Sequence, residues 1–176
     1  MRKITLKQKH WLLSAHIIFA ALWTGTVLSM FLLSWNNKSS ANADILYALH
    51  SAVNLLDDYV VIPAAIGSVL TATFLCWLTN YGFTKFWWVI SKWFLSIALI
   101  IFGTFWLYPW SNSAEAIAQK QGLSAFTNRL YSWDVRGVLI GTIVQGIVLF
   151  IIIGISVIKP WGRRKTNRVN NNSEIA

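Results

Sequence analysis

Charge is what this 176-residue sequence has least of: Asp, Glu, Lys and Arg together make up 12% of it. Soluble domains carry roughly 25%, so the chain has too little polar surface to cover a water-facing globule of its size. Acids are the rarer sign, six against fifteen Lys and Arg. Cysteine occurs once, at Cys76, which excludes an intrachain disulfide and a cysteine-based metal framework. Within its apolar run Cys76 reads as a small buried residue. Also missing are the phosphate-cradling G-x-x-x-x-G-K, the dinucleotide G-x-G-x-x-G, the zinc-binding H-E-x-x-H and a nucleophile elbow. With them goes the soluble domain that nucleotide-driven transport requires.

What is present is apolar: 56% hydrophobic residues, 15% aromatic, and a mean hydropathy of +0.53. The net charge of +9 raises nucleic acid as a partner, but the basic residues gather in the two tails, outside the apolar blocks. That is the distribution of a membrane protein, and it makes the lipid bilayer rather than nucleic acid the expected surroundings.

A helix needs roughly 20 mostly apolar residues to cross a hydrocarbon layer of about 30 Å. Four blocks meet that length: 11–34, 59–79, 86–108 and 137–158. The first is too long for a signal-peptide core and reads as a retained helix. Lipid cannot satisfy free backbone polar groups, so all four read as helices. Between them, Ile45, Leu46, Leu49, Val53 and Leu56 recur at helical spacing and predict a short helix over 44–58, capped by Asp44 and running into the second span. Pro63 marks a kink or offset there, because it cannot donate to the helix ladder. Residues 110–136 read as a long loop with one weakly amphipathic stretch, and 80–85 as a tight turn around Gly82. The expected architecture is an all-α, integral membrane four-helix bundle over 11–158. A basic tail precedes it at 1–10, and a basic, disordered tail follows at 159–176.

Lysine and arginine set its orientation. With the N-terminus inside, the inner segments hold Arg2, Lys3, Lys7, Lys9, Lys85, Lys159, Arg163, Arg164, Lys165 and Arg168, against Lys38, Lys120, Arg129 and Arg136 outside. Asp44, Asp57, Asp58, Glu115 and Asp134 also fall outside. Both termini are therefore expected on the cytoplasmic side. Trp11, Trp35, Trp77, Trp87, Trp88, Trp106, Trp110 and Trp161 sit near span ends, where an interfacial belt belongs.

Two ionisable side chains fall well inside the spans, His16 in the first and Lys92 in the third. Such residues are costly in lipid and are functional candidates by default. His16 lies five residues past Trp11 and Lys92 six past Phe86, which at 1.5 Å per residue puts both about 8 to 9 Å in from the same side. Each has a plainer reading: Lys92 snorkels to the headgroups, and His16 is a bundle histidine bonded to a neighbour. His50 reads as an exposed or interfacial residue at the other end, and His10 as a surface residue. Asp57 and Asp58 read as solvated acids paired with Arg129 or Arg136. Gln145 in the fourth span reads as interhelical glue, and Gly25, Gly67, Gly103, Gly141 and Gly154 as sites of close helix approach.

The run from His16 through Trp23 to Gly25 resembles the first helix of the HemJ-type protoporphyrinogen oxidases and the related CopD-like and uncharacterised integral membrane families. Asp57 to Gly67, with Pro63 opening the helix, is similar to a second element of that family. The placement of Lys92 in Ile90-Ser-Lys-Trp-Phe-Leu95 resembles its helix-three lysine. The resemblance covers spans one to three. It implies a multi-pass protein of a bacterial plasma (inner) membrane, able to hold b-type haem or a related porphyrin with His16 as ligand to the haem iron. Lys92 is then a second functional residue: a ligand, a propionate partner, or a catalytic proton-handling group. The rival readings are a non-enzymatic scaffold or accessory subunit, forming homo- or hetero-oligomers through its helix faces, and a small-solute or ion transporter lined by Lys92 and Gln145.

Overall fold

The computed structural model describes residues 4–37, 40–79 and 82–161. The expected basic tail from Arg163 onward, Arg2 and Lys3 at the start, and Lys38 lie outside the described residues. Among the described residues every regular element is helical, and no strand forms. The chain begins with α1 (Leu6–Asn36), started by a reciprocal cap in which Thr5 Oγ1 accepts from the Gln8 N–H at 3.3 Å while the Thr5 N–H donates to Gln8 Oε1 at 3.0 Å. Its 31 residues extend about 46 Å, more than a hydrocarbon layer needs. Then follow α2 (Ala43–Leu56), α3 (Ile62–Leu78), α4 (Trp87–Phe102), α5 (Tyr108–Gln121) and α6 (Arg129–Ile158).

Two of the junctions are continuous. Between α2 and α3 the helix widens to a π-turn over Asp57–Val61, where the Ile62 N–H reaches the Asp57 carbonyl. Between α4 and α5 it widens again over Gly103–Leu107, where the Tyr108 N–H reaches the Gly103 carbonyl. Each wide turn immediately precedes a residue pair ending in proline, Ile62-Pro63 and Tyr108-Pro109. A proline cannot donate to the ladder and its ring crowds the preceding turn; a π-turn relieves that crowding without breaking the helix. The offset expected at Pro63 is thus a widened turn. Four helical stretches result that are long and apolar enough to cross a membrane: Leu6–Asn36, Ala43–Leu78, Trp87–Thr127 and Arg129–Ile158.

Two expectations are corrected here. The cap of α2 is Asn42, whose side chain accepts from the N–H groups of Asp44 (2.8 Å) and Ile45 (3.4 Å); Asp44 sits inside the first turn. The segment 110–136 is not a loop. Helix α5 carries the third span onward to Gln121, a 3₁₀ turn follows over Gly122–Thr127, and Asn128 caps α6 by accepting from Leu130 and Tyr131. Its low hydrophobicity had the look of a loop. Ala114 and Ala118 are fully buried and let α5 close on α2, with Ala125 of the 3₁₀ turn, Leu46 and Tyr131 filling the rest of this second core.

The bundle is therefore two unlike ends. At the distal end, away from the termini, α2, α5 and the first turns of α6 make a packed cap. Below it, α3 packs on α1, α1 on α6 and α6 on α4, around Trp23, Val27, Met30, Ala64, Ala65, Leu99, Leu149 and Ile152. Helices α3 and α4, although consecutive in the chain, make at most marginal contact. Close approach of α1 and α3 depends on Gly67, where a Cβ would lie 2.6 Å from the Phe19 ring. Gly25 and Gly154 face open space, so neither serves the tight packing expected of it.

Candidate functional site

The cleft between α3 and α4 is where the polar residues of the proximal half converge. A cavity of about 550 Å³ opens there, walled by α1 (Leu13, His16, Ala20, Thr24), α3 (Ser68, Ala72, Cys76), α4 (Trp88, Lys92, Trp93, Ser96) and α6 (Leu149, Ile152, Ser156). That is within the usual range of ligand sites, roughly 300–1,000 Å³. His16 and Lys92, placed at one depth by the sequence, line this one cavity.

His16 is held by α3. Its Nδ1 lies 3.1 Å from the Ser68 carbonyl oxygen and 3.0 Å from Thr71 Oγ1. A carbonyl only accepts, so Nδ1 carries the proton and donates. The Thr71 hydroxyl spends its own hydrogen on the Gly67 carbonyl at 2.7 Å, which leaves its oxygen to accept from His16. The tautomer is thereby fixed, and Nε2 keeps its lone pair. No hydrogen bond to a described residue occupies Nε2, and it is not among the enclosed unpaired atoms of the structure. It is an available donor to a ligand on the cavity side. A histidine anchored through one nitrogen to a backbone carbonyl, with the other free to bind, is the arrangement that metal-ligating histidines use.

Lys92 lies half-buried on the opposite wall, its Nζ leaning back one turn over the Trp88 ring, 6.0 Å from the centroid. This is the snorkelling direction, yet the side chain still lines the cavity. Lys159, at the end of α6, brings a second ammonium over the same ring at 5.8 Å. Lys9 is the third cation of the rim. Among the described residues no Asp or Glu lines the cavity. Cys76 is buried on the α3 wall, as a small residue in an apolar run should be. The indole N–H of Trp23, at the inner end, is enclosed without an acceptor among the described residues.

The other sequence candidates lie elsewhere. His50 is not exposed: it is 5% accessible within the distal cap, with Nε2 at 2.9 Å from the Tyr131 hydroxyl and Nδ1 at 3.4 Å from Asn37 Nδ2. Tyr131 of α6 and Asn37 at the end of α1 lie against it. Nearby, Asn54 donates to Glu115 and accepts from the Ser111 hydroxyl. His10 is exposed, as expected. Asp57 is half-buried beside the first π-turn and Asp58 is exposed, and among the described residues neither forms an ion pair with Arg129 or Arg136. Gln145 is buried on α6 with its amide nitrogen facing Gly103, one turn beyond the cavity residue Leu149 and not itself part of the lining.

Sequence reasoning missed Ser68 and Thr71 as the anchors of His16, and Lys9, Trp88 and Lys159 as its rim. Part of this had a signal. Lys9, Leu13, His16, Ala20 and Trp23 follow one another at intervals of four, three, four and three, which is a single face of a helix. The anchors had none, because one of the two partners is a backbone carbonyl 52 residues away. The chain matches no family model, no curated protein and no solved structure, so the residues of the cavity themselves carry the functional assignment.

Proposed function

We propose that the chain is a multi-pass membrane protein, both termini on the cytoplasmic side of a bacterial plasma membrane, that holds a b-type haem in the cavity between α3 and α4 and serves a redox role. One observation carries this reading: His16 is fixed through Nδ1 by Ser68 and Thr71, with Nε2 left for a ligand beside a cavity of about 550 Å³. The donor set suits the group. A neutral imidazole ligates haem iron, apolar walls suit a porphyrin face, and the Lys92 ammonium suits a propionate. When bound, haem supplies one-electron chemistry at an iron whose potential responds to axial ligand and burial. The chain's own share is to present the Nε2 lone pair, to keep water from the apolar wall, and to offset the anionic arms with Lys92.

The test is an absorption spectrum of protein purified from a haem-replete host, oxidised and then reduced with dithionite. A Soret band with sharp reduced α and β bands is expected in the wild type and should be lost in His16→Ala. A flat spectrum in the wild type, or an unchanged one in the variant, removes haem or His16 from the reading. The scaffold alternative draws on the wide exposed apolar face of α4, including Phe94, Ile97 and Ile101.

A further inference from the structure

The first turns of α6 carry a charged face that has no part in the cavity. The 30 residues of α6 extend about 45 Å, about 15 Å more than a hydrocarbon layer. Its other end stays apolar through Val157 and Ile158, so the surplus falls at residues 129–136, level with the distal headgroups. Arg129 and Arg136 stand there, the two arginines among the described residues, both exposed. They lie two turns apart on one side of the helix with exposed Trp133 between them, and an open hollow runs over Arg129, Ser132, Trp133 and Arg136. Among the described residues no carboxylate pairs with either arginine. Asp134, the acid nearest in sequence, is buried on the other side of the helix. Past Arg136 the same exposed face runs straight on into the span as Ile140, Ile143 and Ile147.

We infer that this face holds an anionic phospholipid of the distal leaflet, with its phosphate on the Arg136 guanidinium, its head toward Arg129 and an acyl chain along Ile140, Ile143 and Ile147. The inference needs only the four spans and stands apart from the haem reading. Arginine suits the role because its planar fork meets two phosphate oxygens at once, where an ammonium offers only a point charge. Arg129 sets the preference among lipids. It lies about 10 Å further out along the axis, where a zwitterionic lipid places its own cation, so a choline head is repelled and an uncharged glycerol head is not. Trp133, an apolar body with one N–H donor, belongs at the same level. The apolar stripe favours lipid over an acidic protein partner, because it continues the charged face to acyl-chain depth without a step.

Native mass spectrometry of the full chain in detergent tests this, with dioleoyl phosphatidylglycerol and dioleoyl phosphatidylcholine added in turn. The wild type should bind its first phosphatidylglycerol at least tenfold more tightly than its first phosphatidylcholine. Arg129→Gln with Arg136→Gln should cut that ratio to threefold or less, and Arg136→Gln alone should weaken phosphatidylglycerol at least threefold. Both positions are exposed, so the unfolding temperature of these variants should stay that of the wild type. The C-terminal segment is also basic, so Arg163→Gln with Arg164→Gln removes the same charge elsewhere and should keep the tenfold ratio. Glycerol 3-phosphate, a phosphate without chains, should fail to displace the lipid at a hundredfold excess. Displacement by it means a site for free phosphate and overturns the lipid. A preference kept by the double glutamine variant, or lost equally in the C-terminal variant, overturns the inference. So does a double variant that sheds a co-purifying acidic protein while its lipid binding stays that of the wild type.

Discussion

At the scale of the residue, the orientation of His16 depends on two acceptors of different kinds. Thr71→Val exchanges the hydroxyl for a methyl group and leaves the Ser68 carbonyl in place. Partners of this sort usually contribute 10–100-fold to ligand affinity. On the proposed haem reading, about a tenfold loss of haem affinity with the Soret band retained is therefore expected, measured by titration of cofactor-free protein; an unchanged affinity would reduce Thr71 to a packing residue. The cap makes a parallel demand. Tyr131→Phe leaves the His50 ring nitrogen without its 2.9 Å partner, and an unsatisfied buried donor or acceptor costs about 1–3 kcal/mol. The variant should unfold at lower denaturant in detergent while its haem spectrum stays that of the wild type. His16 and Lys92 were legible in the sequence because an ionisable side chain stands out in an apolar run. His50 was misread for the opposite reason: the segment that buries it looks polar, and burial by a distant element leaves no local mark.

At the scale of the element, the four spans were legible from length and hydropathy, and so was the helix that runs into the second; the continuation of the third was not. Pro63 read as a kink or offset, and both it and Pro109 are absorbed by a π-turn one step earlier. The alanines of α5 carry little hydrophobicity, yet small size is what lets α5 approach α2. The same distinction between small and needed separates the glycines. Gly67→Leu would drive a side chain into Phe19, where even a Cβ would lie 2.6 Å away, and overpacking of a filled site costs about 1–3 kcal/mol or more. Gly25→Leu meets open space. Thermal unfolding in detergent should show a clear loss for the first and little change for the second. Equal losses would mean that the α1–α3 contact is not what Gly67 serves.

At the scale of the whole molecule, the proposed sidedness rests on the distribution of charge along the sequence. An alkaline phosphatase reporter fused after Ile158 should be inactive and one inserted in the polar segment between α1 and α2 active, as the counts of Lys and Arg in the segments flanking the spans predict. The reverse pattern would invert the protein in the membrane and move the cavity to the other leaflet. The bundle was legible from sequence, but its uneven closure was not, since no local pattern reports that two consecutive helices fail to pack. That unevenness has a mechanical meaning. The cap joins α2 to α5 beyond the far ends of α3 and α4, and the eight residues between Leu78 and Trp87 join the same two helices at the near end. Held at both ends like a buttonhole, the pair can part only by bowing, so the space between them gives most at its middle and least at either end.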